Sequence, residues 1–279
     1  MLVIVVTWNS SAWVDRCLGS VRDSSAPADI LVVDNASSDG TLALVREHFP
    51  EAKVVEAGEN LGFGRANNIG FKHALEGGYD YVYLLNSDAW LMPDTLGRLL
   101  EEAAKGEFAL LSPLQMSAQG GLDPRFEAKC GRRCKAGGTV EVPFVMAAHW
   151  LFSTDTLRRV GGFSPAFEHY GEDDNWIDRL HFHGLKCAVT CDARAVHDRA
   201  LRPATKQWRM RLKKVSQVVA LSDPAGSWRL RTLLEPFILL GMSLKNFSPE
   251  PLRYYPALRK KYPEIKLFRD ISKGEGAFL

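Results

Sequence analysis

The first 110 residues predict an α/β fold in which helices flank a largely parallel β-sheet. Short apolar segments alternate with longer amphipathic segments, and only a few polar residues connect one to the next. Strands that alternate with helices at this spacing form right-handed βαβ units and therefore run parallel. At 279 residues the chain is also long enough to bury a large core.

Four apolar runs predict the strands of this Rossmann-like layer, and the segments between them predict its helices. The second helix follows the capping candidates Ser37 to Asp39, and the fourth has Pro93 in its first turn, where proline is favoured. The predicted strands are LVIVV (2–6), ILVVD (30–34), KVVE (53–56) and YVYLL (81–85), and the predicted helices cover 12–21, 41–48, 63–75 and 93–104.

Beyond residue 111 this alternation stops. Residues 112–145 are rich in Gly, Pro and charge and predict hairpins and loops. Helices are predicted at 154–160 and 172–182, followed by two strands, KCAVT (186–190) and ARAVH (193–197), and from residue 203 by helices with basic faces. The chain therefore divides into a first half-domain at 1–110, a second half of the same domain at 111–200, and a basic helical extension at 201–279.

The composition is typical of a soluble globular protein, with 46% apolar and 24% charged residues. Met1 runs directly into the strand LVIVVT without a basic segment or a cleavage pattern, and the apolar run at 237–244 is too short to span a bilayer. We therefore expect a cytoplasmic protein.

The five cysteines include two pairs with three residues between their members, Cys130/Cys134 and Cys187/Cys191. Structural zinc sites usually have two intervening residues, and no His completes either pair nearby. Reduced thiols are therefore expected.

The net charge of +2 hides an uneven distribution of charged residues. Residues 1–198 carry 18 Lys and Arg against 27 Asp and Glu, whereas residues 199–279 carry 17 against 6. The extension, with RMRLKK (209–214) and an apolar stretch at 228–247, is either packed on the body with a solvated cationic face or an interfacial segment on anionic lipid at the inner face of the plasma membrane. The acidic body argues against nucleic acid as the partner.

Hydrogen-bonding side chains follow all four predicted strands, and in an open α/β sheet such strand ends converge on the crevice where ligands bind. A dinucleotide is a poor fit, because TWNSSAW replaces the glycine-rich turn after the first strand and the G-x-G at Gly62 and Gly64 lacks a third glycine. A P-loop is absent from the sequence as well. The strand-end side chains are Thr7 and Asn9, Asp34 and Asn35, Asn60 to Gly64, and Asn86, Ser87 and Asp88.

Six segments, in their order along the chain, resemble family 2 glycosyltransferases, an inverting group with the glycosyltransferase-A fold, a Rossmann-like mixed sheet flanked by helices. The subset that they resemble most includes rhamnosyltransferases and other bacterial polysaccharide-assembly enzymes. The segments are VIVVTWNSSAWVDRCLGSV, ILVVDNASSDGT, NLGFGRANNIGFKHAL, YLLNSDAWL, GGFSPAFEHYGEDDNWIDRL and ARAVH, which together cover residues 2–200 but not the extension.

The resemblance implies a nucleotide-diphospho-sugar donor, expected to carry UDP or dTDP, bound by residues 1–110. It implies that Asp34 accepts hydrogen bonds from the base and that Thr7 and Asn9 lie along the nucleotide. Asn67 is included because a polar residue on an amphipathic helix costs helix propensity, which indicates a ligand contact. The predicted donor-binding residues are Thr7, Asn9, Asp34, Asn35, Asn60, Gly62, Asn67, Asn86 and Ser87.

The Asp-x-Asp motif of the family falls at Asn86-Ser87-Asp88, so this chain has lost the first carboxylate and keeps Asp88 as the acidic ligand of a divalent cation. The family often adds a histidine from a late strand, and His197 occupies that place. An imidazole beside a carboxylate suits Mn²⁺ better than Mg²⁺, which prefers oxygen ligands. We predict that Asp88 and His197 bind Mn²⁺ or Mg²⁺, more weakly than a complete motif would.

Three acids open the helix predicted at 172–182, and the helix dipole alone would favour them there. Inverting transfer, however, needs a carboxylate that removes the proton of the acceptor hydroxyl. The resemblance assigns this base to Asp173, with Glu172 in support, and Asp174 stays open as an alternative. His149, Trp150 and Trp176 are predicted to stack on the acceptor sugar.

The predicted function is the transfer of a sugar, with inversion, from a nucleotide-diphospho-sugar to a glycan or lipid-linked acceptor in bacterial surface polysaccharide synthesis. The loss of an acid at Asn86 leaves open a non-catalytic protein that binds a nucleotide sugar. A sugar nucleotidyltransferase has a similar sheet, but it normally uses a glycine-rich basic loop after the first strand, which TWNSSAW does not provide.

Overall fold

The computed structural model describes residues 1–130, 134, 137–199 and 205–279. Its first half contains the predicted layer, and each predicted strand and helix lies within two residues of its predicted bounds. The elements are β1 (Leu2–Thr7), α1 (Val14–Arg22), β2 (Asp29–Asp34), α2 (Thr41–His48), β3 (Lys53–Glu56), α3 (Gly62–Glu76), β4 (Tyr81–Asn86), β5 (Ala89–Leu91) and α4 (Thr95–Ala103).

The later elements depart from the prediction in several places, one of which is a strand at His149–Ser153 that was not predicted. A helix interrupts the segment predicted as loops, because the Asp123 side chain caps it by accepting hydrogen bonds from two backbone N–H groups. The two strands predicted around residues 186–197 are one strand, which continues past an irregularity in its pairing. The elements are β6 (Leu110–Ser117), α5 (Pro124–Lys129), β7 (Thr139–Val142), β8 (His149–Ser153), α6 (Thr154–Val160), α7 (Glu172–Phe182), β9 (Cys187–His197), α8 (Lys206–Ser222), α9 (Trp228–Lys245) and α10 (Glu250–Ile271).

Nine strands of the described residues form one mixed sheet in the order β3-β2-β1-β4-β8-β6-β9-β5, with β7 paired to β9. Strands β1 to β4 run parallel, so the carboxyl ends of β1, β2 and β4 meet at one edge. Strand β5 pairs antiparallel with β9 and sets Ala89 opposite His197. Sheet pairing therefore brings His197 beside Asp88, which is distant from it in sequence.

Hydrophobic clusters cover both faces of the sheet, because successive side chains of a strand point to opposite faces. In β1, Ile4 belongs to one cluster and Val5 to the other. Helices α8 to α10 form a third, smaller cluster around Leu239 and Leu258, which also includes Phe167 of the body. Among the described helices, none is long and apolar enough to cross a membrane.

The chain after α10 returns to the body. The backbone N–H of Gly162 donates a hydrogen bond to the carbonyl oxygen of Ala277 (2.7 Å). A Cβ atom on Gly161 would lie 2.0 Å from the same oxygen, so a glycine is required at this contact. The extension is thus packed on the body at both of its ends, which is one of the two arrangements that the sequence left open.

The prediction of reduced thiols is wrong for two of the five cysteines, one from each of the sequence pairs. Cys134 and Cys191 form a disulfide, with their Cα atoms 5.5 Å apart. Strand β7 pairs antiparallel with β9, and the N–H of Cys191 donates to the carbonyl oxygen of Gly138 (2.8 Å), so tertiary pairing brings the two cysteines together. Cys17, Cys130 and Cys187 are buried cysteines outside this disulfide.

Candidate active site

A cavity of about 660 Å³, here called the strand-end groove, lies where the parallel strands end. Arg65 of α3 and Arg211 of α8 contribute guanidinium groups to its lining, and among the described residues neither forms an ion pair. The acidic lining residues are Asp88 and Glu168. The strand-end residues predicted from the sequence that line it are Asn35, Asn60, Gly62, Asn86, Ser87 and Asp88.

Thr7 and Asp34 are fully buried and do not line the groove. The Asp34 carboxylate accepts hydrogen bonds from the Thr7 hydroxyl (2.7 Å) and from the hydroxyl (2.6 Å) and backbone N–H (2.8 Å) of Ser37. Both side chains are occupied with each other and with Ser37, and their contact with the nucleotide stays a prediction. Their hydrogen bonds fix the loop after β2 at the groove.

Asn9 and Asn67 also serve the fold. Asn9 has a φ of +51°, which asparagine tolerates, and its side-chain oxygen accepts a hydrogen bond from the N–H of Ser38 (2.8 Å). Asn67 is buried, and its amide donates to the carbonyl oxygen of Phe63 within the same helix (2.9 Å). Neither side chain lines the groove, although Asn9 is exposed, and the donor contacts of both stay predictions.

Sequence analysis missed the aromatic part of the groove. Trp8 exposes 57% of its surface there. Trp13 also lines the groove and donates its indole N–H to the carboxylate of Asp198 (3.2 Å). The available signal was a tryptophan directly after an apolar strand, at a turn position that no turn chemistry requires.

Asp88 and His197 meet at the boundary of the groove. Asp88 Oδ1 lies 3.3 Å from His197 Nε2, and the bond from the N–H of Asp198 to the carbonyl oxygen of Asp88 (2.8 Å) holds the two strands together. The side-chain oxygen of Asn86 is buried and accepts no hydrogen bond within the described part of the chain. A carboxylate, an imidazole and an orphaned amide oxygen are ligand types that suit Mn²⁺, so these residues fit a divalent cation. No cluster of three or more His, Cys, Asp or Glu among the described residues offers a fuller site.

A second cavity, of about 570 Å³, opens beside the groove and is here called the carboxylate pocket. The acids Glu172, Asp173 and Asp174, from the first turn of α7, line it. The two cavities share Phe63, Asn86 and His169. Ligands bound in the two cavities can therefore contact each other at Asn86.

Burial raises the pKa of each carboxyl group in this first turn. Burial and the charge of Asp173 raise the pKa of Glu172 to about 8 and that of Asp174 to about 7. Burial also raises the pKa of Asp173, against the opposing effect of the Asp174 N–H, which donates to its carboxylate (3.0 Å). Lys129 and the N–H of Ala147 oppose the rise further. Backbone N–H groups and a cation thus favour the ionised form of Asp173, whereas a pKa of about 8 keeps Glu172 protonated at neutral pH.

Helix α8 forms one wall of the carboxylate pocket. Gly171, just before α7, has a φ of +87°, and a Cβ atom there would lie 2.6 Å from Val215 and 2.9 Å from Val219. The glycine therefore lets α8 approach the first turn of α7 closely. The extension therefore contributes to the lining of this cavity, although the sequence predicted no site residue within it.

His149, Trp150 and Trp176, which the sequence predicted to stack on the acceptor sugar, lie in the core. Each is completely buried. The indole N–H groups of both tryptophans donate to backbone carbonyls, and their rings pack with centroids 5.3 Å apart. His149 lies within hydrogen-bond distance of the Tyr83 hydroxyl (3.0 Å) and a β9 carbonyl (3.1 Å). Large aromatic side chains on a central strand and a packed helix cover the sheet, and this burial leaves no ring face for a sugar.

Tyr170 and Trp208 are aromatic residues that do line the carboxylate pocket. The indole N–H of Trp208 donates to the Tyr170 hydroxyl (3.3 Å), and the rings stand edge to face, 6.3 Å apart. Tyr170 has a φ of +72°, a conformation that costs a non-glycine residue about 1–3 kcal/mol. The packing around Tyr170 therefore holds its ring at the pocket against the local preference of the backbone.

Solved structures with the same arrangement of sheet and helices are glycosyltransferases. The mannosyltransferase PcManGT from Pyrobaculum calidifontis, in complex with GDP-Man and Mn²⁺, has a TM-score of 0.61 and 21% identity, over 96% of this chain and 86% of that chain. S. aureus TarS 1–349 in complex with UDP has a TM-score of 0.61 and 18% identity, over 87% and 71% of the two chains. The fold is thus the glycosyltransferase-A fold, as the sequence predicted.

The family follows from the sequence comparison. The family described as Glycosyl transferase family 2 matches residues 2–161, more than half of the chain, and the chain belongs to it. Undecaprenyl-phosphate mannosyltransferase of Micrococcus luteus is 34% identical over 39% of this chain and 46% of its own length. N-acetylglucosaminyl-diphospho-decaprenol L-rhamnosyltransferase of Mycobacterium tuberculosis is 26% identical over 71% of this chain and 76% of its own.

Proposed function

We propose that the protein transfers a sugar, with inversion, from a nucleotide-diphospho-sugar to a hydroxyl group of a glycan or lipid-linked acceptor in bacterial surface polysaccharide synthesis. The junction of the two cavities carries this proposal. The strand-end groove offers cations and amides to a nucleotide diphosphate, and the carboxylate pocket offers Asp173 to an acceptor hydroxyl. Because both cavities include Asn86, the donor sugar and the acceptor can meet there.

The strand-end groove suits a nucleotide diphosphate. The exposed ring of Trp8 can stack on a base, and the amides of Asn35 and Asn60 can hydrogen-bond to the nucleoside. Arg65 and Arg211 compensate the charge of the phosphates. UDP or dTDP is the expected nucleotide.

Asp88 and His197, together with the side-chain oxygen of Asn86, would hold the divalent cation. When bound, Mn²⁺ or Mg²⁺ neutralises the charge that develops on the departing diphosphate. Mn²⁺ is the expected ion, because an imidazole ligand suits it better than Mg²⁺.

Asp173 acts as the base. Its carboxylate takes the proton of the acceptor hydroxyl, and the hydroxyl oxygen attacks the anomeric carbon on the face opposite the diphosphate. The bond from that carbon to the diphosphate breaks as the new glycosidic bond forms, so the configuration inverts. Glu172, protonated at neutral pH, supports the site as a neutral neighbour and leaves the negative charge on Asp173.

The acceptor is expected at a membrane surface. The names of the two relatives describe enzymes that act on undecaprenyl-phosphate and on a diphospho-decaprenol. Helix α9 exposes a row of large apolar side chains, here called the α9 strip, between the exposed cations Arg229 and Lys245. We propose that this strip rests on anionic lipid at the inner face of the plasma membrane. The strip consists of Leu230, Leu233, Leu234, Phe237, Leu240 and Leu244.

Thermal unfolding with Mn²⁺ and UDP-, dTDP- or GDP-sugars tests the donor assignment. The correct nucleotide raises the melting temperature, because a ligand that binds the folded state stabilises it by mass action. Asp88→Ala weakens the Mn²⁺-dependent part of this binding about 10- to 100-fold without lowering the melting temperature of the free protein. Asp155→Ala, which removes an exposed acid on α6, is the control.

Two results would count against this proposal. If no sugar nucleotide stabilises the protein, the donor assignment is wrong, and if Asp88→Ala keeps its metal dependence, the cation lies elsewhere. Donor binding without transfer to any acceptor would favour the non-catalytic alternative, for which Asn86 in place of an acid is the supporting observation.

A further inference from the structure

Helix α5 places two cationic side chains on the lining of the carboxylate pocket. Arg125 and Lys129 are four residues apart and therefore lie on one face of the helix. The Arg125 guanidinium lies 4.7 Å from the ring centroid of Trp208, and the Lys129 ammonium lies 3.8 Å from that of Phe144. These ring contacts hold the cations at the pocket without using their hydrogen-bond donors.

No carboxylate contacts these two cations within the described residues. Arg199, another cation of the pocket lining, differs, because its guanidinium lies 2.8 Å from the carboxylate of Asp123. Lys129 acts on Asp173 through space and supports its ionised form, but the two groups form no ion pair. The α5 cations can therefore receive an anion from outside the protein.

The wall that α8 contributes to the pocket is apolar. Leu212, Val215 and Val219 are spaced three and four residues apart, which places them on one face of the helix. On its other side α8 packs on α9, where the Gln217 side chain accepts a hydrogen bond from Arg231 (2.7 Å). The apolar wall therefore belongs to the same helical layer as the α9 strip.

The pocket thus combines a base for a hydroxyl group, two cations for an anion and an apolar wall. A free glycan end supplies a hydroxyl group and nothing for the other two features. A sugar that is joined through phosphate to a hydrocarbon chain supplies all three. We infer that the acceptor is such a phospholipid-linked sugar, with its phosphate at Arg125 and Lys129 and the start of its chain on the α8 wall.

This inference rests on the proposed function, and the test uses probes that separate the two. Geranyl monophosphate carries the phosphate and the hydrocarbon, geraniol carries the hydrocarbon alone, and inorganic phosphate carries the anion alone. Calorimetric titration of the full chain, with UDP and Mn²⁺ present to fill the strand-end groove, measures the affinity for each probe. We expect geranyl monophosphate to bind more tightly than either of the other two.

Arg125→Gln and Lys129→Gln each weaken the binding of geranyl monophosphate about 10- to 100-fold, because each removes a charge-assisted hydrogen bond to phosphate. Geraniol binding stays the same in both variants. Arg259→Gln is the matched control, because Arg259 also lies over an aromatic ring, that of Tyr255, but lines neither cavity. Arg65→Gln weakens UDP binding and leaves geranyl monophosphate binding unchanged.

Unchanged binding of geranyl monophosphate in both α5 variants overturns the inference, as does geraniol binding that equals it in wild type. Both α5 side chains are at least partly exposed, and thermal unfolding of each variant verifies that it folds. If neither UDP nor dTDP binds the wild-type protein, the proposed donor fails instead, and that result is visible before any acceptor probe is added.

Discussion

The segment that matches the family and the helices that follow it contribute to the site in different ways. Residues 2–161 supply strand ends and tight turns, whose positions follow from backbone pairing in the sheet. Helix α8 supplies side chains from one face of a helix, at Trp208, Arg211 and Val215. The contribution of the first region to the site therefore depends on the path of the backbone. The contribution of α8 depends on which side chains lie on one of its faces.

The two cavities also differ in which region of the chain lines them. The strand-end groove lies mainly within the family segment, whereas the carboxylate pocket takes a wall from α8, outside that segment. A helix face can change its side chains without altering the fold, but a strand end is fixed by the register of the sheet. We therefore expect the acceptor preference to depend on residues that no family motif describes.

The largest expected effect comes from the first turn of α7, where the two regions meet. Asp173→Asn keeps the size of the side chain but cannot accept a proton, so turnover falls by about 10²- to 10⁴-fold. Donor affinity hardly changes, because Asp173 does not line the strand-end groove. Steady-state rates and titration of the nucleotide diphosphate measure the two effects separately.

Asp174→Asn is the matched variant, since it removes the neighbouring acid of the same turn. We expect it to keep most of its activity. A dead Asp174→Asn enzyme beside an active Asp173→Asn enzyme would move the base by one residue, and full activity in both would place the base outside this turn.

A smaller effect is expected from the α9 strip. Leu233 and Phe237 are each 67% exposed, and replacing both with Glu removes apolar surface worth about 1.5–3 kcal/mol per side chain when buried in lipid. We expect the double variant to sediment with anionic vesicles at least tenfold less than wild type. A moderate rise in salt should also reduce the sedimentation of the wild-type protein. Substitutions are preferable to deletion, because removing α8 to α10 would also remove a wall of the carboxylate pocket.

Leu267→Glu on α10 changes an exposed leucine outside the strip and serves as the control. If wild-type protein does not sediment with vesicles at low salt, the strip has another role. Equal losses in the control and in the strip variant would attribute the binding to charge alone.

The smallest effect concerns Glu172, whose pKa is raised from 4.5 to about 8 in the folded protein. Between these values the folded state binds more protons than the unfolded state, so the free energy of unfolding falls as the pH rises. Glu172→Gln cannot ionise and loses this slope. The free energy of unfolding of the variant minus that of wild type should therefore be higher at pH 8 than at pH 5. The increase should exceed ~1 kcal/mol, since one pKa unit corresponds to about 1.4 kcal/mol.

Urea denaturation at both pH values measures this difference. Glu76→Gln, an exposed acid on α3, should track the wild type at each pH. Parallel pH profiles of wild type and Glu172→Gln would show that the pKa of Glu172 is not raised in the folded protein.

The sequence by itself determined the parallel layer and the edge at which its ligand side chains gather. The apolar period is a local signal, so the bounds of β1 to β4 and of α1 to α4 could be predicted within two residues. The order of the motifs also identified the family and its fold. The position of Asn35, Asn60 and Asp88 at one groove could be predicted because a parallel strand sends its end to the same edge as its neighbours.

Other features depended on contacts between distant parts of the chain. The β5–β9 pairing sets His197 beside Asp88, and the antiparallel β7–β9 pairing lies next to the disulfide between Cys134 and Cys191. The packing of α8 on Gly171 makes the extension a wall of the site. Trp150 and Trp176 look like sugar platforms in the sequence, yet the sheet and α7 bury them completely. Residue type and spacing describe what a side chain can do, but its exposure is decided by the elements that pack over it, and that information is not local.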